Sequence, residues 1–87
     1  MILNAYSVLD TKTGIYNLPF FMQLDVQALR AVADLGRNTD TTVGRYPNDY
    51  VLVRIGQYDD NTGSMEPHPP VNMGVISAIA AQLEGNK

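Results

Sequence analysis

Apolar and polar positions divide the chain into two blocks of similar plan. In residues 2–9, Ile2, Tyr6 and Val8 fall on one face of a strand and Leu3, Ala5 and Leu9 on the other. Both faces are largely apolar, which predicts a central strand covered on both sides. Residues 15–21 read as a second strand. Pro19 cannot donate a ladder hydrogen bond, so the end of that strand belongs at an edge or a bulge. Over residues 26–36 the period becomes helical. Ala28, Leu29, Val32 and Leu35 form an apolar stripe, while Arg30, Asp34 and Arg37 take the polar side. Asp25 suits the N-cap and Gly36 the C′ position.

The second block opens with residues 38–49, polar and irregular, with Gly44 and Pro47. Loops of this length without secondary structure are uncommon in compact domains and are often functional. A third strand follows at Tyr50–Tyr58. Val51, Val53 and Ile55 line one face; Tyr50, Leu52, Arg54 and Tyr58 line the other. Ser64–Glu66 reads as a short fourth strand, and Pro67-His68-Pro69-Pro70 as an extended polyproline-type connector. A second helix is predicted over 73–84, capped by Asn72 and ended by Gly85, with Ile76, Ile79, Ala80 and Leu83 on its apolar face. Its other side is small: Gly74, Ala78 and Ala81. Glu84 is its one charged residue. Such a face permits close helix contact and is a candidate subunit interface. The competing reading is alanine used only as a helix former.

The blocks share a turn. Asp10-Thr11-Lys12-Thr13-Gly14 and Asp59-Asp60-Asn61-Thr62-Gly63 both read D-x-x-T-G, 49 residues apart. The same offset maps Leu3 onto Leu52, Val26 onto Val75, Ala31 onto Ala80 and Gly36 onto Gly85. Several of these are turn or cap residues that any such unit favours, so the repeat is a hint at the level of pattern. The expected fold is α+β in the order β-β-α-β-β-α, with an antiparallel sheet of about four strands and two helices on one face.

Composition narrows the functions. At 87 residues the chain reads as a single domain, 1–87, with a small core that favours oligomerisation. A net charge of −3 counts against a nucleic-acid binder that uses its whole surface. The absence of cysteine excludes disulfides, thiolate metal sites and cysteine nucleophiles. MILNAYSVLD lacks the basic and apolar regions of a signal peptide. The longest mostly apolar run, Met73–Ala81, is too short to span a bilayer, so no membrane partner is expected.

Candidate chemistry is sparse. Asp59-Asp60-Asn61 could hold a hard cation, but the calcium-loop spacing does not match, and turn chemistry accounts for the cluster. His68, the one histidine, lies between prolines with no ligand or triad partner near it in sequence. Ser7, Ser64 and Ser77 lack a nucleophile-elbow context, and no phosphate-binding glycine motif occurs. An enzyme is not expected, nor a cofactor or metal. Arg37, Arg45 and Tyr46, with Lys12 and Arg54 elsewhere, form the one nucleic-acid constellation. Arginine pairs with phosphate and tyrosine stacks on an unpaired base. Against this stands a solvated loop with one arginine. Tyr16, Phe20, Phe21 and Met22 make either a partner-binding strip or a core at the entrance to the first helix.

Two stretches carry a family resemblance. One runs from Tyr6-Ser7-Val8-Leu9-Asp10-Thr11-Lys12 to Leu18-Pro19-Phe20-Phe21. The other runs from Tyr46-Pro47-Asn48-Asp49-Tyr50 through Ile55-Gly56-Gln57-Tyr58-Asp59-Asp60. With Ala28-Leu29-Arg30 between them, the chain resembles the small nonstructural protein of gokushovirus-type microviruses, icosahedral phages with single-stranded DNA genomes. It departs from that pattern at Tyr46, where histidine is usual, and at Val32, where an aromatic residue is usual. The resemblance covers about residues 5–80. It implies a nonenzymatic protein of the host bacterial cytoplasm that assists single-stranded genome synthesis or packaging, with single-stranded DNA as partner. The alternative is a homodimeric interaction module acting on phage or host proteins without DNA.

Overall fold

The chain, seen in a computed structural model that describes residues 1–84, is a sheet with helices on one side. The elements are β1 (Ile2–Asp10), β2 (Ile15–Tyr16), β3 (Phe20–Met22), α1 (Asp25–Arg37), α2 (Thr42–Arg45), β4 (Tyr50–Asp59), β5 (Ser64–Val75) and α3 (Ile76–Glu84). A 3₁₀ turn at Pro47–Asp49 leads into β4. All pairings are antiparallel, in the order β2-β1-β4-β5, and β3 shares with β2 the outer edge of β1. This is the expected α+β architecture, with five strands and three helices among the described residues where about four and two were expected.

The two D-x-x-T-G turns are superimposable in their bonding. Gly14 N donates to Asp10 O at 2.8 Å and Gly63 N to Asp59 O at 2.8 Å. The Asp10 and Asp59 carboxylates each accept from the backbone two residues on, at 2.9 Å. Thr13 and Thr62 hydroxyls accept from Ile15 N and Ser64 N at 3.3 and 3.2 Å. Gly14 and Gly63 sit at φ 75° and 74°, where a Cβ would be strained. The register after each turn also agrees. Leu9 faces Tyr16 and Asp10 faces Ile15; 49 residues on, Tyr58 faces Met65 and Asp59 faces Ser64. The two units therefore meet about an approximate two-fold axis between β1 and β4.

The core lies between sheet and helices. Tyr6 and Val8 of β1 and Tyr50 and Leu52 of β4 pack against Ala28, Val32 and Ala33 of α1, Val43 of α2, and Ile76 and Ile79 of α3. Alternation places Leu3, Ala5, Ser7 and Leu9 on the opposite face. An extra residue in β4 at Ile55 shifts the register there, because Tyr6 faces Arg54 while Ala5 faces Gly56. Tyr58, expected beside Leu52, is thereby turned to the face of Val51 and Val53. Register adds Tyr16, Phe21, Met65 and Val75 to that face. Ala5, Ser7, Val51 and Val53 in the middle of that face are buried as well, so β1 is central and both of its faces are covered at its centre, as expected.

Several boundaries differ from expectation. The second strand is interrupted at residues 17–19, because Pro19 breaks the ladder. Asp25 is the first helical residue and Leu24 precedes the helix; Gln27 Oε1 satisfies Leu24 N at 2.9 Å, and the Asp25 carboxylate is engaged elsewhere. Gly36 is inside α1, where a Cβ would stand 2.6 Å from Ile76 Cγ2, so it serves close helix packing rather than termination. The proline segment 67–70 is part of β5, which is an edge strand and tolerates missing donors. Residues 73–75 also stay in the sheet. Asn72 faces Val53, its side chain accepts from Gly74 N at 2.8 Å, and Gly74 sits at φ 129°, so the helix starts at Ile76. Gly85 as a helix end lies outside the described residues.

Candidate functional site

The polar stretch 38–49 is ordered by its own short-range chemistry. Thr41 caps α2, its hydroxyl accepting from Gly44 N at 3.0 Å, and donates to Asn38 O at 2.7 Å. Tyr46 N donates to Thr42 O at 3.0 Å, and Asp49 N to Tyr46 O at 2.9 Å. Val43 is driven into the core, and Arg45 and Tyr46 are left outside, Tyr46 being 57% exposed. Among the described residues Arg45 makes only long contacts, at 3.4 Å each, to Thr39 O and Thr42 Oγ1. A guanidinium and an aromatic ring thus occupy consecutive exposed positions on a braced support.

Arg37 is occupied differently. Its Nη2 donates to Ala80 O at 2.8 Å and its Nη1 to Asp34 at 3.3 Å, tying the last turn of α1 to α3. Lys12 lies near the 3₁₀ turn, 4.0 Å from the Asp49 carboxylate, and Thr11 N and Oγ1 both donate to Asp49 O. The surroundings of Arg45 and Tyr46 are therefore mixed in sign. Burial, with Asp10 and Asp49 nearby, raises the Tyr50 hydroxyl above its ordinary range, while Arg45 opposes.

A second polar cluster went unread in the sequence. Tyr6 Oη donates to Asp25 Oδ1 at 2.6 Å, and Arg54 Nη1 donates to Asp25 Oδ2 at 2.7 Å. Tyr6 also stacks on Phe20, with ring centroids 5.5 Å apart. The three residues join β1, the start of α1 and β4. Burial and the bond to Asp25 raise the Tyr6 hydroxyl to about 12. The Tyr6 hydroxyl, then Arg54, lower the Asp25 carboxyl, against its desolvation.

The signs give two pH limits. Raised in the fold, Tyr6 contributes stability that is full below pH 10.0, its ordinary value, and lost as pH rises toward about 12. Lowered in the fold, Asp25 contributes stability that is full above its ordinary 3.8 and lost as pH falls below it. Tyr6→Phe is expected to cost about 2 kcal/mol at pH 8, the scale of a hydrogen bond to a charged group. It should also remove the alkaline loss attributable to Tyr6. Urea unfolding at pH 8, 10 and 11 checks both; parallel curves for the two proteins would sink the assignment.

The aromatic group after β2 is divided by strand alternation. Phe20 and Met22 face the core, while Tyr16 and Phe21 face away, Phe21 meeting Tyr58 at 5.2 Å between centroids. Leu18, 90% exposed, joins Val8, Asn17, Phe20, Ala31, Val32 and Leu35 in lining a mostly apolar cleft of about 310 Å³. Ala78 and Ala81 are exposed on α3, but Gly74 is in β5 beneath Ile79, so the three do not form one helix face. His68 is half-buried in β5 with Nδ1 2.8 Å from Pro69 O. Asp60 holds the N-terminal ammonium at 2.8 Å. Among the described residues no group of histidine, aspartate and glutamate side chains is arranged to hold a metal ion.

A family model described as Phage ORF5 protein matches residues 3–81. Neither a curated protein nor a solved structure matches the chain.

Proposed function

The chain belongs to the Phage ORF5 protein family, and on that premise we propose a nonenzymatic nonstructural protein of a gokushovirus-type, single-stranded DNA phage. It assists genome synthesis or packaging in the host cytoplasm by holding single-stranded DNA. The observation that carries this reading is the exposed Arg45–Tyr46 pair on the braced α2 segment. Arginine meets phosphate while the ring stacks on an unpaired base, a combination that suits single strands of any sequence. Lys12, near the same turn, adds a second cation. The net charge of −3 makes this a local interaction against an unfavourable average field.

The test is fluorescence anisotropy of a labelled single-stranded oligonucleotide, titrated with the protein at low and at moderate salt. Arg45→Ala should weaken binding to any sequence and reduce the slope of log affinity against log salt by about one unit. No binding at low salt, where attraction is greatest, would end this reading. A second reading is favoured by the charge-free outer face of the sheet: an interaction module that regulates a replication, assembly or host protein without DNA. Capture of a defined phage or host protein by a chain with no oligonucleotide affinity supports it.

A further inference from the structure

The cleft beside α1 is apolar where the fold does not demand it. Asn17 is its one polar lining residue, and Leu18, which shares the lining, is 90% exposed. The second unit supplies a comparison. At the offset of 49 residues Val8 corresponds to Gln57 and Asn17 to Glu66, and the pairing agrees: Asn17 N donates to Val8 O, and Gln57 faces Glu66. Gln57 and Glu66 are polar and exposed, so a unit of this plan folds without an apolar surface at that place. In the first unit the apolar surface also continues along α1. Leu24, 55% exposed, precedes Ala31 by seven residues, close to two helical turns, and Leu35 follows Ala31 by four, so the three share one side. We infer that this surface is a dimer interface, and that its occupant is the same surface of a second copy of the chain, with Leu18 of each copy entering the cleft of the other.

Three observations select a second copy. The first is self-complementarity. An exposed leucine and an apolar cleft belong to one surface, so a two-fold axis beside them fills both clefts at once, as an isologous contact requires. The second is charge. Asp34 neighbours Ala31 on α1, Arg30 lies one turn before Asp34, and both are exposed. Among the described residues Arg30 has no ion-pair partner, and Asp34 engages Arg37 through one carboxylate oxygen at 3.3 Å. Two α1 helices that meet antiparallel, with the axis beside Val32, set Arg30 of each copy against Asp34 of the other. That local match offsets the repulsion between two chains that each carry −3. The third concerns the edge. Pro19 interrupts the ladder next to Leu18, so this side of the sheet is closed to an added strand, and association here runs through side chains.

The interface is distinct from the α3 surface that carries Ala78 and Ala81. Arg45 and Tyr46 take no part in it, so it stands whether or not nucleic acid is bound. The experiment is sedimentation equilibrium of the full chain, with circular dichroism as the check on folding. The wild type should weigh twice its chain mass of 9.6 kDa. Leu18→Asp places an unpaired charge in each cleft and should weaken association at least about thirtyfold. Leu18 is 90% exposed, so this substitution leaves the monomer fold intact. Arg30→Asp puts two like-charge pairs into the symmetric contact and should weaken association about tenfold; adding Asp34→Arg should recover most of that loss. Ala78→Glu should remain dimeric. A wild type of single-chain mass at about 100 µM, in the range where weak specific contacts are populated, overturns the inference. So do dimers that survive Leu18→Asp, a double variant that associates no better than Arg30→Asp alone, or dissociation by Ala78→Glu.

Discussion

Gly44→Ala is expected to lower the thermal midpoint by roughly 15 °C, a loss of about 3 kcal/mol for a domain of this size. A Cβ at this position would overlap the backbone carbonyl of Asn38, and Leu35 O would stand 3.1 Å away. These are backbone atoms fixed by the end of α1, so no rotamer change relieves the clash. Asn38 O already accepts from Thr41 N and from the Thr41 hydroxyl, and Thr41 in turn caps α2. One methyl group therefore disturbs the α1 end, the α2 cap and the Val43 anchor together. Calorimetry of the variant checks the size of the effect. A midpoint within a few degrees of wild type would show that residues 38–46 rearrange without cost, and the Arg45–Tyr46 pair would then lose its braced support.

Leu52→Ala is expected to cost about 4 kcal/mol, toward the upper end of the range for such substitutions. Leu52 is wholly buried in central strand β4, between Val8 on one side and Gly74 on the other. Cavity cost depends on how far neighbours can move in, and Gly74 has no side chain to offer. Ile79 already sits over Gly74, and the ideal Cβ of that glycine lies 3.4 Å from Ile79 Cγ1. A chain of 87 residues has on the order of 4–13 kcal/mol of total stability, so this single truncation removes a large share of it. Chemical denaturation gives the number. A loss under about 1.5 kcal/mol would mean that the helices settle onto the sheet far more freely than their packing implies.

The parts of the fold legible in the sequence are those written by local chemistry. The D-x-x-T-G turns were readable because aspartate, threonine and glycine each act within a few residues. α1 was readable from its apolar stripe. The start of α3 was not, because the apolar residues Met73, Val75 and Ile76 serve a strand and then a helix; short apolar runs do not separate the two periods. What decides is the pairing of Asn72 with Val53 and Val75 with Val51, made across the sheet. The same holds for β5, whose prolines suggested a connector until its edge position was known. Tyr58 was assigned to the wrong face because one extra residue at Ile55 inverts every later position.

The candidate site divides in the same way. Arg45 and Tyr46 are neighbours in sequence and so remain neighbours in space. Arg37 was grouped with them by charge alone, whereas its bond to Ala80 O depends on how two helices meet. Asp25 was read as a cap because its partners, Tyr6 and Arg54, lie 19 and 29 residues away. The outer sheet face was visible in β1: two apolar faces called for cover on both, and Ala5 and Ser7 are as buried as Tyr6 and Val8.

The approximate two-fold relation between the units also bears on how the chain reaches its fold. Each turn closes within five residues, but the β1–β4 junction joins strands whose partners are 40–57 residues apart, such as Asp10 with Tyr50 and Ile2 with Asp59. Hairpins of this kind form in about 1–10 µs, whereas pairing between distant segments carries the entropy of closing the intervening loop. Long-range pairing is therefore concentrated at the junction between the two units. Substitutions that flank that junction are expected to slow folding more than substitutions in the turns, which stopped-flow refolding would show.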